Sequence, residues 1–219
     1  MAVVCGIDEA GRGPVIGPMV ICGACFEKAQ EKVLKKMGVK DSKLLSSAER
    51  EALFEKIKET CKGRYYAIIV SPSEIDAVVS ENDLNWLEAR KTAEIINFLS
   101  PDEAIIDCPN PNCQVYENYI KKRLAGIKVK ITAEHKADFN YAFVGAASVL
   151  AKVIRDREIE KMKSEMKIDF GSGYPSDPLT KAFIEKNWEK KAFSEIIRKS
   201  WAPVRERREQ KAQKKIMDF

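Results

Sequence analysis

The chain has 219 residues, enough for one domain with a proper core, or one domain with a small appendage. Its 45% hydrophobic and 32% charged composition excludes a disordered chain, and no uninterrupted apolar run approaches the ~20 residues of a membrane span. A net charge of +5 mildly favours a polyanionic partner, and residues 1–7 lack a basic leader, so no signal peptide is expected and the cytoplasm is the expected compartment.

Residues 2–8 and 14–26 read as a hairpin of buried strands, the first ending at Asp8. Ser46-Ser47-Ala48-Glu49 resembles a capping box and opens a helix in which Leu53, Phe54 and Ile57 recur at helical spacing. A third strand is expected over residues 64–71 and a second helix over about 83–99, the latter carrying Leu84, Leu87, Ala93, Ile96 and Leu99 and followed by Pro101. A short buried strand, 104–107, ends in Asp107. A helix near 114–124 and a strand over 127–132 complete a β-α-β alternation that implies a parallel part of the sheet.

A long helix is expected from about 141 to 166, and its early Ala142, Gly145, Ala146 and Ala147 permit close packing. Residues 171–178 form a turn-rich loop, after which shorter helices and a charged tail finish the chain. The expected fold class is therefore α/β, with one mixed five-stranded sheet flanked by helices.

Six cysteines lie mostly in apolar, strand-like segments, where free cysteine packs as a small hydrophobe. Cys22 and Cys25 form a C-x-x-C, but an odd offset on a strand puts them on opposite faces. With no second C-x-x-C and one histidine, His135, a structural zinc site is not expected. Cys108 and Cys113 are close enough in sequence to be candidates for meeting across a loop. The single histidine also argues against a Ser-His-Asp hydrolase, and leaves carboxylates as the main catalytic resource.

The opening Ile7-Asp8-Glu9-Ala10-Gly11-Arg12-Gly13 reads as a metal and phosphate site, because adjacent carboxylates offer the hard oxygens that Mg²⁺ or Mn²⁺ prefers. Gly11 and Gly13 let the backbone approach a ligand, and Arg12 supplies cationic donors. Gly11, Gly13 and Gly17 miss the G-x-G-x-x-G spacing of a dinucleotide loop. Asp8 and Asp107 converge if their strands are neighbours, and Asp138 precedes the small-residue helix and is a candidate for the same edge. Such a cluster raises its own pKa values unless cations neutralise it, and divalent metals can then activate water and stabilise the leaving oxygen of a phosphodiester. Ser148, Lys152 and Arg155 share one helix face, where Lys152 and Arg155 are candidates either for the nucleic-acid backbone or for salt bridges.

Five motifs then stand in order: Ile7 to Gly13, Asp41-Ser42-Lys43, His135-Lys136-Ala137-Asp138, Ala147-Ser148-Val149-Leu150-Ala151-Lys152, and Gly171-Ser172-Gly173-Tyr174-Pro175-Ser176-Asp177-Pro178. Together they resemble type II ribonuclease H, archaeal branch. The resemblance implies a ribonuclease H-like catalytic domain over about 1–178 and a helical C-terminal region over 179–219. It implies that Asp8, Glu9, Asp107 and Asp138 are catalytic and hold Mg²⁺ or Mn²⁺, two ions during catalysis. It also implies cleavage of the RNA strand of RNA/DNA hybrids, and incision 5′ to single ribonucleotides in duplex DNA. The products carry 3′-hydroxyl and 5′-phosphate ends. By the same resemblance Gly11, Arg12, Gly13 and Tyr174 recognise the ribose 2′-hydroxyl and Lys43 contacts phosphate, while Ser148 and Lys152 are candidate substrate-binding residues from their shared helix face. His135 is expected to be structural, not a ligand, and residues 108–113 match no shared motif.

The chain ends Gln213-Lys214-Lys215-Ile216-Met217-Asp218-Phe219, which resembles a sliding-clamp (PCNA) binding peptide with Gln213, Ile216 and Phe219 in register. A charged helix end is the other reading of this tail. No membrane partner is expected, and nothing requires more than a monomer. Two alternatives stay open at this level: another metal-dependent phosphoryl-transfer nuclease of the same fold, and a non-catalytic nucleic-acid-binding module.

Overall fold

The computed structural model describes residues 2–39, 45–79 and 83–217, the last four of these by backbone alone. Asp41, Ser42, Lys43 and Phe219, with the Ile216 side chain, lie outside the described residues. The strands are β1 (Val3–Ala10), β2 (Met19–Glu27), β3 (Tyr65–Val70), β4 (Glu103–Asp107) and β5 (Lys130–Glu134). The helices are α1 (Glu31–Lys36), α2 (Ser47–Thr60), α3 (Pro72–Val79), α4 (Leu84–Leu99), α5 (Cys113–Lys121), α6 (Ala137–Asn140), α7 (Ala142–Met166), α8 (Pro178–Asn187) and α9 (Ala202–Met217).

One mixed sheet runs in the order β3-β2-β1-β4-β5. β1 is antiparallel to β2 and parallel to β4, and β4 is parallel to β5. The capping box is present: the Glu49 N–H donates to Ser46 Oγ at 3.3 Å, and the Ser46 N–H to Glu49 Oε2 at 2.8 Å.

Three expectations shift. β1 does not end at Asp8 but runs to Ala10, because Glu9 and Ala10 still pair with Ile21 and Val20. On the β4 side the ladder stops at Ile7↔Ile106, so Asp8 lies just beyond the parallel pairing. β2 begins at Met19, not residue 14, since Pro14 and Pro18 lack an N–H and Gly17 takes φ 86°. β5 begins at Lys130, not 127, where its register with Glu103 starts. Helix α3 was not expected, although Ser71 ahead of Pro72 marks its start and its hydroxyl accepts from the Glu74 N–H at 3.2 Å.

The chain divides into two compact units interleaved along the sequence. The first comprises Met1–Ala10, Val20–Ile69 and Asn85–Arg155. Its core on one sheet face joins Val4, Val20, Phe26 and Ile105 to Phe54 of α2 and to Phe143 and Leu150 of α7. The strand must yield space there: a Cβ on Gly6 would lie 2.1 Å from the Phe143 carbonyl oxygen and 2.5 Å from the Val144 nitrogen. The opposite face meets α4, where Gly23 lies against Ile95 and Leu99.

The second unit comprises Gly11–Met19, Val70–Leu84 and Asp156–Phe219. Val15, Ile16, Ile159, Phe170, Phe183 and Ile197 form its core. In place of the expected strand start, the Val15 and Ile16 N–H groups donate to the Gly173 carbonyl at 2.8 and 3.2 Å, and Ile16 forms a bridge with Ile197.

Candidate active site

Alternation along β1 turns Asp8 to the α7 face with Val4 and Gly6, and Glu9 to the α4 face with Cys5 and Ile7. Because β1 and β4 are parallel neighbours, Asp107 at the end of β4 arrives at the same edge. Carboxylate oxygens of Asp8, Glu9 and Asp107 lie within 4.8 Å of one another. Asp8 is 6% exposed, and the other two are half-buried.

Such crowding has a cost. Burial, then the charges of Glu9 and Asp107, hold the Asp8 carboxyl well above the usual carboxylate range, against hydrogen bonds from Ser148 and the Glu9 N–H. The Glu9 N–H donates to Asp8 Oδ1 at 2.7 Å, and the Ala137 N–H fixes Asp107 Oδ1 at 2.7 Å. A set of three oxygen donors that repel one another until a cation arrives fits a hard divalent ion.

Asp138, in the first turn of α6, directly follows the Ala137 that holds Asp107, but it is not among the three clustered carboxylates. Ser148 and Lys152 are half-buried on α7, and Ser148 hydrogen-bonds Asp8. Arg155 is 1% exposed, which sets it apart from them as an interior residue and not a surface contact for a nucleic acid. His135 Nδ1–H donates to the Cys108 carbonyl at 3.0 Å, and Cys113 Sγ lies 3.4 Å from its Nε2.

Behind the carboxylates is a small cavity lined by Asp8, Glu9, Asp107, Glu88, Thr92 and Tyr116, among others. Glu88, Thr92 and Tyr116 are all buried, and burial followed by the Glu88 charge raises the Tyr116 hydroxyl pKa, with Thr92 hydrogen-bonded to it. Sequence reasoning passed over Glu88. It interrupts the apolar stripe of α4 one turn after Leu84, which is the signal that identifies it.

In the second unit, the Gly11-Arg12-Gly13 segment is held by its carbonyls. Arg198, fully buried, donates through Nη2 to Gly11 O at 2.7 Å, through Nη1 to Arg12 O at 3.1 Å and through Nε to Gly17 O at 3.0 Å. Its guanidinium lies 4.8 Å from the Trp201 ring centroid, and Trp201 Nε1 donates to Gly13 O at 3.1 Å. Gly11 takes a left-handed φ of 87°, which glycine adopts without a Cβ penalty. Tyr174 belongs to the same unit, its ring 3.7 Å from where a Gly13 Cβ would stand. Arg198 and Trp201 carry no local motif, so sequence reasoning did not single them out. Gln213 is exposed on α9.

The family model described as Ribonuclease HII matches residues 5–204. The ribonuclease HII of Pyrococcus abyssi is 47% identical over 201 residues, which cover 90% of this chain and 88% of that protein. The crystal structure of the ribonuclease H2 from Pyrococcus horikoshii OT3 matches with a TM-score of 0.84 at 41% identity, covering 95% of this chain and 98% of that one. A structure of the PCNA:RNase HII complex from Archaeoglobus fulgidus matches with a TM-score of 0.82 at 39% identity, covering 91% and 95%. The five-stranded sheet, the carboxylates at the ends of its parallel strands and these likenesses over nearly the whole chain agree: the protein belongs to the ribonuclease HII family.

Proposed function

We infer that the chain is a metal-dependent endoribonuclease that cleaves the RNA strand of RNA/DNA hybrids and incises 5′ to ribonucleotides embedded in duplex DNA. The carrying observation is the clustering of Asp8, Glu9 and Asp107 at the carboxyl ends of two adjacent parallel strands, in a member of this family. Asp8, Glu9, Asp107 and Asp138 are the residues that would hold the metal. Two Mg²⁺ or Mn²⁺ ions bound there would supply the Lewis acidity that activates a water and stabilises the leaving 3′ oxygen.

The remaining roles belong to the chain. Ser148 orients Asp8 and the Ala137 N–H orients Asp107, so both ligands are fixed before substrate arrives. Lys152 and Lys43 neutralise scissile-strand phosphates. Gly11, Arg12 and Gly13 read the ribose 2′-hydroxyl, and the Tyr174 ring stacks on the sugar, since that hydroxyl alone separates RNA from DNA at one nucleotide. Cleavage adds water across the P–O3′ bond, giving a 5′-phosphate and a 3′-hydroxyl.

The tail is proposed to bind a sliding clamp through Gln213, Ile216 and Phe219, a reading supported by the PCNA:RNase HII complex of the Archaeoglobus fulgidus relative. No helix among the described residues is long and apolar enough to cross a membrane. The cytoplasm, where thiols stay reduced, suits six free cysteines, and the enzyme is proposed to act as a monomer.

The test is cleavage of duplex DNA carrying one ribonucleotide, with and without Mg²⁺, beside an Asp107→Asn variant and an all-DNA control. Metal-dependent incision 5′ to the ribonucleotide, absent from variant and control, is the expected result. Activity on long hybrids without that incision would remove the ribose-reading roles, and activity on neither would return the chain to a binding module.

A further inference from the structure

Ligand atoms of Cys108, Cys113 and His135 all lie within 4.8 Å of one another. The three come from different elements: the loop after β4, the first residue of α5, and the turn between β5 and α6. We propose that they form a second cation site, separate from the carboxylates and selective for a borderline divalent ion such as Zn²⁺ or Co²⁺.

The donor set decides the selectivity. Two sulfurs and an imidazole suit Zn²⁺ or Co²⁺, whereas Mg²⁺ and Mn²⁺ take oxygen. The histidine is already oriented for the task. Its Nδ1 meets the Cys108 carbonyl at 3.0 Å, which as an N–H donor fixes the tautomer and leaves Nε2 as the ligating nitrogen, 3.4 Å from Cys113 Sγ. Two thiolates also balance a divalent charge, so the ion adds no net charge beside Asp107.

Exposure fits three protein ligands and a water. Cys108 is buried, Cys113 half-buried and His135 exposed, leaving the fourth tetrahedral position towards solvent. Ligation is coupled to proton release, because thiolates and not thiols bind the ion. The gain is a cross-link between the loop that follows Asp107 and the turn that leads to Ala137, whose N–H holds Asp107.

The experiment is a Co²⁺ titration of the reduced, metal-stripped full chain, read by absorption. One equivalent should give a sulfur-to-cobalt charge-transfer band with the intense visible bands of tetrahedral cobalt, and Zn²⁺ should displace it. The band should persist in an Asp8→Asn/Glu9→Gln variant, vanish in Cys108→Ser/Cys113→Ser, and need about tenfold more Co²⁺ or more in His135→Gln. No charge-transfer band in the wild-type protein overturns the proposal, whatever the variants do. So does a band that survives loss of both cysteines, or one lost with the carboxylates.

Discussion

Arg198 Nη2 donates to the carbonyl of Gly11 at 2.7 Å, across 187 residues of sequence. The same guanidinium takes the carbonyls of Arg12 and Gly17, so one buried side chain fixes the course of the whole glycine segment. Replacing Arg198 by methionine leaves three carbonyls without this donor. A loss of about 3 kcal/mol is expected, read as a lowered urea midpoint, because each orphaned buried acceptor costs about 1–3 kcal/mol. Arg198→Lys should recover part of it, and an unchanged midpoint for the methionine variant would contradict this role.

Asp8 links stability to pH in the metal-free protein. Its carboxyl pKa is raised in the fold, so the native state binds that proton more tightly than the unfolded chain. This contribution is fully present below the unfolded pKa and is lost as pH rises through the raised folded value. Asp8→Asn removes the effect. In EDTA it should melt above the wild type near neutral pH, by on the order of 1 kcal/mol, while abolishing cleavage. Melting curves against pH check this, and Mg²⁺ or Mn²⁺ should close the gap by stabilising only the wild type.

Gly6→Ala should be severe. All three nearest atoms to its new Cβ are backbone of Phe143 and Val144, at 2.1 to 2.5 Å, and backbone cannot swing aside as a side chain does. A cost of roughly 3 kcal/mol or more is expected. Because α7 carries Ser148, hybrid cleavage should fall even where the variant is still folded, as activity alongside far-ultraviolet circular dichroism would report.

For the tail, Phe219→Ala should weaken binding to a sliding clamp about 30-fold, the effect of losing one aromatic anchor worth about 2 kcal/mol. Calorimetry with the clamp measures it. Cleavage of a short hybrid without the clamp should not change.

Local rules carried much of this structure. The Ser46/Glu49 capping box, the two strands reaching Asp8 and Asp107, and the small residues of α7 each state their role within a few residues. The cluster of Asp8, Glu9 and Asp107 was legible because parallel strands deliver their carboxyl ends to one edge. What escaped depends on distant pairing. Arg198 and Trp201 look like ordinary members of a charged C-terminal region, and their meaning is in carbonyls near residue 11. Residues 14–18 read as a strand from their apolar content, although their backbone partners are Gly173 and the short stretch Ile196 to Arg198 and no long strand. The approach of Cys108 to Cys113 was open to a reading of the short loop between them, but His135 joins them from a turn more than twenty residues on, which no local spacing signals.

β1 has a strand on either side, and its Cys5, Gly6 and Ile7 pair with both β2 and β4. Amides paired in a central strand are expected among the last to exchange with solvent, whereas edges and termini fray on their own. Asp8 and Glu9 continue from that protected stretch, so partial melting elsewhere leaves their placement intact. On heating, Asp8 and Glu9 should therefore keep their places until this strand itself unfolds, even where α6 or the Tyr174 loop opens first.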